Sequence, residues 1–268
     1  MRYTGDGTTR RSFLRGGVLA TAVAAVGLPT VAGTAVAKGK KRRPGTVPVF
    51  ESDVGDPGEA GKTFYRVAQA GTAADDFVKG PEKAPFGSGS VELTTNGPGD
   101  RLFLYNYDYG TFDVSTGTES NDGVPLAAIT ELSYSTYTND TTLVPALKME
   151  IDPDGPGTSG VDDYATLNFE PYYNNTVTPG TWQTWDVLTA NAGVWLSGTS
   201  GEGSISDPVT WTRLLELYPD ATIRFGFGVG VGSGWSAPSF VGNVDDLRIG
   251  VDGKTTRYNF EARGNSKK

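Results

Sequence analysis

The 268-residue chain contains no cysteine and no histidine. Without cysteine there is no disulfide framework and no thiol nucleophile, so stability rests on packing and on polar or metal contacts. Without histidine the Ser-His-Asp and Cys-His nucleophile systems are excluded, and so is the commonest zinc ligand. Long apolar runs are also scarce. Beyond the first 37 residues nothing approaches the roughly 20 consecutive apolar residues a membrane-spanning helix needs. Bases are outnumbered by acids, 23 to 31, for a formal charge of −8. A surface of that sign repels nucleic acid and anionic lipid.

The bases that exist are unevenly spread. Arg10 and Arg11 stand in T-R-R-S-F-L, residues 9–14. A Gly/Ala-rich apolar stretch follows from Gly16 to about Val36, then the small-x-small site Ala35-Val36-Ala37. The arrangement resembles a twin-arginine signal peptide, which addresses a folded chain for export. The expected organisation is a signal over 1–37, a basic disordered leader over 38–46, one domain over 47–262 and a disordered tail over 263–268. The expected location is secreted or at the extracellular surface. Cleavage after Ala37 leaves 231 residues with 19 basic and 30 acidic side chains, enough chain for one substantial core.

Turn residues punctuate this domain about every ten positions, and strand chemistry fills the intervals. Over 130–137, Leu132 and Tyr134 alternate with Glu131 and Ser133; over 146–151, Leu147, Met149 and Ile151 alternate with Lys148 and Glu150. Period two marks a strand with one buried face. Further strands are expected at 47–50, 62–67, 88–95, 101–107, 164–169, 181–187, 222–231, 240–249 and 255–260. One segment has helical spacing instead: Trp211, Leu214, Leu215 and Tyr218, stopped by Pro219. The predicted fold is all-β, an antiparallel sandwich.

The ends of the domain resemble a known group. Phe50-Glu51 opens the first strand, and Val244-Asp245-Asp246-Leu247-Arg248-Ile249 lies near the close. A Phe-Glu opening with a closing apolar-Asp-Asp-apolar strand resembles the carbohydrate-binding jelly rolls of the galactose-binding-like type. The resemblance implies a jelly-roll sandwich, adjacent first and last strands, and a structural calcium held by Glu51 with Asp245 or Asp246. Calcium takes roughly six to eight hard oxygens, so carbonyls would have to complete the shell. Arg248, Arg257 and Arg224 are the alternative partners for these carboxylates. Asp152-Pro153-Asp154-Gly155 reads as a tight acidic turn, and Asp162-Asp163 reads similarly.

Aromatics are the second functional signal. Sugar rings stack their C–H faces on Trp and Tyr, while nearby carboxylates and amides bond the hydroxyls. Most of the aromatics suit a sandwich core. Trp235, in the loop Gly232-Ser233-Gly234-Trp235-Ser236, and the pair Tyr172-Tyr173 are the candidates for ligand contact. Trp182 and Trp185 differ in strand parity, so one faces the core and the other does not. Asn139-Asp140-Thr141 and Asn174-Asn175-Thr176 are candidate glycosylation acceptors. Gly226-Phe227-Gly228-Val229-Gly230 is no phosphate loop; its glycines allow a bulky aromatic to pack closely on the sheet. The expected function is non-catalytic binding of carbohydrate or a glycan-rich surface. The alternatives are an adhesive surface protein without a small ligand, and a glycoside hydrolase or polysaccharide lyase built on a carboxylate pair.

Overall fold

Each alternating segment builds a strand whose apolar side chains meet those of a facing sheet. The computed structural model describes residues 44–113, 118–119, 123–156, 164–173, 175–189, 191–232, 235 and 239–262. The Arg10-Arg11 leader, its cleavage site, the basic run 38–43, Asp162-Asp163, Asn174 and the tail from 263 lie outside those residues. The described residues fall within one unit, Ala37–Lys268.

The first sheet has seven strands: β1 (Gly45–Val49), β4 (Ala74–Lys79), β5 (Gly89–Thr95), β9 (Ile129–Thr138), β12 (Gln183–Asp186), β15 (Phe240–Val251) and β16 (Lys254–Phe260). Long β15 organises it. On one side β15 pairs with β9, which carries β12 at its other edge. On the other side β15 pairs first with β5, and through it β4, then with β16, and through it β1.

The second sheet runs in the order β13 (Val194–Leu196), β11 (Ala165–Phe169), β10 (Ala146–Asp152), β14 (Thr222–Gly232), β6 (Arg101–Asn106), β3 (Phe64–Ala70), β2 (Val54–Gly55). A short ribbon joins β7 (Phe112–Asp113) to β8 (Thr118–Glu119). Helix α1 (Trp211–Leu217) is capped by the Thr210 hydroxyl, which accepts from the Arg213 amide, and buries Trp211 and Leu214. Pro219, two residues past the last helical turn, is where the sequence predicts the stop.

Leu147, Met149 and Ile151 of β10 face Leu132, Tyr134, Val244 and Ile249 of the other sheet within one apolar cluster. Each such buried aliphatic side chain stabilises the sandwich by about 1.5–3 kcal/mol. The predicted β-sandwich is therefore present, and the jelly roll is not. Both sheets are mixed: β1 pairs parallel with β16, and β2 pairs parallel with β3. Neither sheet curls or closes on itself. The opening strand does not pair with the Asp-Asp strand: β1 pairs, in parallel, with β16, which lies between it and β15. Strand direction is set by long-range pairing, to which local alternation is blind.

Candidate functional site

The second sheet turns one face to the core and the other outward, and the outer face is where the charged side chains collect. In register, one row crosses six strands: Tyr65, Tyr105, Gly228, Lys148, Asn168 and Trp195. The neighbouring row brings Glu150 opposite Thr166. Alternation predicts Lys148 and Glu150 on a solvated face. Instead Lys148 is 5% exposed, Glu150 3% and Asn168 1%. Buried charges of this kind persist only when paired and hydrogen-bonded.

They are so engaged. The Lys148 ammonium donates to Asn168 Oδ1 at 2.6 Å and lies 5.0 Å from the centre of the Phe103 ring. Asn168 Nδ2 donates to the Thr166 carbonyl, which fixes its oxygen toward Lys148. Glu150 accepts from Tyr105 Oη and from Thr166 Oγ1, each at 2.9 Å. Burial pushes the Glu150 carboxyl up to about 7, against the lowering effect of those two bonds and of Lys148. Burial likewise lowers the Lys148 ammonium, opposed by Glu170 and Glu150. Perturbed, buried acid–base pairs of this sort mark candidate functional sites.

At the end of β11 the network meets aromatics. Glu170, 6% exposed, leads into the turn carrying Tyr172 and Tyr173, whose ring centres lie 4.7 Å apart. Burial and the adjacent Glu170 carboxylate raise the Tyr172 hydroxyl. Trp235 follows β14 at the same end, packs edge-on against Phe240 at 4.9 Å, and lies beside Tyr172. The three aromatics singled out in the sequence are thus brought together, with Tyr173 45% exposed. Among the described residues the buried Trp195 indole N–H makes no hydrogen bond, while the Trp235 side chain lies against the Tyr172 hydroxyl and lowers its pKa against the effect of burial. Lys148, Glu150, Asn168, Glu170 and Tyr105 were not anticipated as site residues. Their signal was the charged alternation of β10 set beside a strand with glycine at every second position.

The residues expected around a calcium lie on the first sheet. Glu51 sits in a short 3₁₀ turn, Glu51–Asp53, after β1. Asp245 accepts from the backbone amides of Phe86 and Phe260, and burial raises its carboxyl to about 7. Asp246 pairs with Arg248 at 2.6 Å and Arg257 at 2.7 Å, two of the alternative partners read from the sequence. Among the described residues no group of three or more carboxylates gathers to hold a metal. Asp152 and Asp154 form the expected acidic turn: the Asp154 amide bonds Asp152 Oδ1, and Gly155 has φ +87°.

The chain matches no family model, no curated protein and no solved structure. The galactose-binding-like resemblance of the two chain ends is therefore not carried by the fold. The Asp-Asp strand lies in a mixed, uncurled sheet, and its two carboxylates are held by backbone amides and arginines.

Proposed function

We propose that this protein is an exported, non-catalytic binder of carbohydrate, and that the sugar is met by Tyr172, Tyr173 and Trp235 at the end of the second sheet. The observation that carries the reading is the cluster itself. It combines two adjacent tyrosine rings, one of them exposed, a tryptophan beside them and a buried carboxylate, Glu170. Trp195, opposite Asn168 on β13, holds a buried indole N–H without a partner among the described residues, and a buried donor left unbonded costs about 1–3 kcal/mol until an acceptor arrives. Hydroxyl-rich rings supply both the apolar face and the acceptor oxygens. The resemblance of the first 37 residues to a twin-arginine signal suits the same reading, since surface glycans are met outside the cell.

A catalytic reading is favoured by one observation, the Glu150 carboxyl held near neutrality beside Lys148. Both Glu150 oxygens are already taken by protein donors, which suits a structural network better than an acid waiting for substrate. The test is a glycan array on the folded protein, followed by calorimetry on the best ligand with Tyr173→Ala and Trp235→Ala. Each truncation is expected to weaken binding about tenfold, the equivalent of one lost stacking contact. An array with no bound glycan, from protein with a native thermal transition, defeats the proposal. Turnover of the array ligand, abolished by Glu150→Gln, moves the assignment to a hydrolase or lyase.

A further inference from the structure

The outer face of the first sheet carries a second row of functional groups, remote in register from the buried network above. Asp76 of β4 lies opposite Glu92 of β5, Glu92 opposite Asn243 of β15, and Asn243 opposite Tyr137 of β9. Trp182, just before β12, extends the row. Its ring centre is 5.8 Å from that of Tyr137, and its indole N–H donates to the Pro81 carbonyl. Above this row opens a cavity of about 470 Å³, lined by Glu92, Tyr137, Asn139, Asp140, Val241 and Asn243 among others.

The polarity of the cavity is one-sided. Asp76 and Glu92 are like charges directly opposite each other, an arrangement that destabilises a sheet. Neither has a hydrogen-bond or ion-pair partner among the described residues, and no Lys or Arg lines the cavity. Asn243 adds an acceptor by a chain of assigned bonds. Ser90 Oγ spends its one proton on the Gly80 carbonyl, so toward Asn243 it can only accept. The Asn243 amide nitrogen therefore faces Ser90, at 3.1 Å. Its Oδ1 is left without a partner among the described residues, in a side chain 3% exposed that lines the cavity. Tyr137, packed against Trp182, contributes an electron-rich ring face, and Val241, 52% exposed, adds an apolar rim.

We propose that this cavity binds a protonated amine carried on an apolar frame. Three features select it. The ammonium supplies donors to Asn243 Oδ1 and charge to Glu92, relieving the unpaired Asp76–Glu92 juxtaposition. The Tyr137 face attracts a cation within about 6 Å of its centre. The exposed Val241 side chain takes the attached hydrocarbon. A neutral polyol meets the acceptors but leaves the carboxylates uncompensated, and an anion is repelled.

Cyclohexylammonium and its neutral isostere cyclohexanol are the probes, titrated at fixed ionic strength and neutral pH. The readout is the NMR shift of the Trp182 indole N–H and the Asn243 side-chain amide. Cyclohexylammonium is expected to give saturable shifts at both groups, with cyclohexanol at least about tenfold weaker, the equivalent of one charge-assisted contact. Glu92→Gln is expected to weaken the amine about tenfold and to leave the alcohol unchanged. Equal affinity for amine and alcohol, or no saturable shift at either group, overturns the proposal. The wild-type comparison decides this even if the variant fails to fold. The titration is made without glycan and read at Trp182 and Asn243, neither of which is assigned to the sugar, so its failure is distinguishable from failure of the glycan array.

Discussion

Tyr105 and Glu150 are joined by a 2.9 Å hydrogen bond that passes over a strand belonging to neither. Tyr105 is on β6, Glu150 is on β10, and β14 lies between them. The bridge exists because β14 presents glycine, at Gly226, Gly228 and Gly230, toward the outer face. Removing the phenol hydroxyl takes one of two donors from a buried carboxylate. Tyr105→Phe is expected to cost about 1–3 kcal/mol in chemical denaturation and to raise the Glu150 pKa further. An unchanged denaturation midpoint would show that the bond contributes nothing net.

The glycine spacing makes its own prediction. A β-carbon on Gly228 collides with the Leu104 carbonyl oxygen, and one on Gly230 collides with the Phe103 ring. The first obstacle is backbone and cannot swing aside. The second is a side chain that already lies under the Lys148 ammonium. Gly228→Ala is expected to destabilise by about 2–3 kcal/mol, an overpacking cost, and Gly230→Ala by somewhat less. Thermal melts of both variants check the order.

Glu150 also makes stability depend on pH. Its folded pKa, about 7, lies above the ordinary carboxylate value, so the folded state holds a proton that the unfolded chain releases. The associated stability is fully present below about pH 4.5 and is lost as pH rises through 7. Glu150→Gln cannot titrate. Its stability relative to wild type should therefore improve by roughly 3 kcal/mol between pH 4.5 and pH 8. Denaturant melts of the two proteins across that window measure the difference directly. A constant difference would mean that the Glu150 pKa is the same in the folded and the unfolded chain.

Much of the fold was legible. All eleven expected strands appear, as does the α1 turn, because each rests on local alternation or helical spacing. Strand β4 was missed: Ala74–Lys79 is an edge strand whose Asp75, Asp76 and Lys79 read as loop. Strand β13 is only three residues long, too short to show a period. Among site residues, Tyr172, Tyr173 and Trp235 stood out as aromatics in turn-rich sequence. Lys148 and Glu150 did not, because alternation gives parity and says nothing about what covers the outer face. The Trp182/Trp185 parity held, with Trp185 in the core and Trp182 against Tyr137.

Asp246 occupies the point where β15 exchanges one partner for another. Its neighbours on one edge change there from β5 to β16, and the register with β9 shifts between Asp245 and Arg248. The backbone answers with φ +56° at Asp246, a left-handed conformation that Asp and Asn tolerate better than other residues with a β-carbon. The carboxylate then receives Arg248 and Arg257, which lie opposite each other on β15 and β16 and are each about a quarter to a third exposed. Asp246 thus both permits the bulge and neutralises two like charges set side by side. The two roles separate by substitution. Asp246→Asn keeps the conformation and loses the charge; Asp246→Gly relaxes the conformation and loses the side chain; Asp246→Ala loses both. Because the arginines reach solvent, the lost pairing is worth about 1–2 kcal/mol, and the left-handed strain adds about 1 kcal/mol in the alanine variant. The expected order of stability is wild type, then Asn and Gly close together, then Ala. Raising salt should narrow the gap between wild type and Asn, since screening weakens the pair but not the backbone preference. If wild type and Asp246→Asn are equally stable at every salt concentration while Asp246→Ala is not, the pairing contributes nothing net and Asp246 is a conformational residue only.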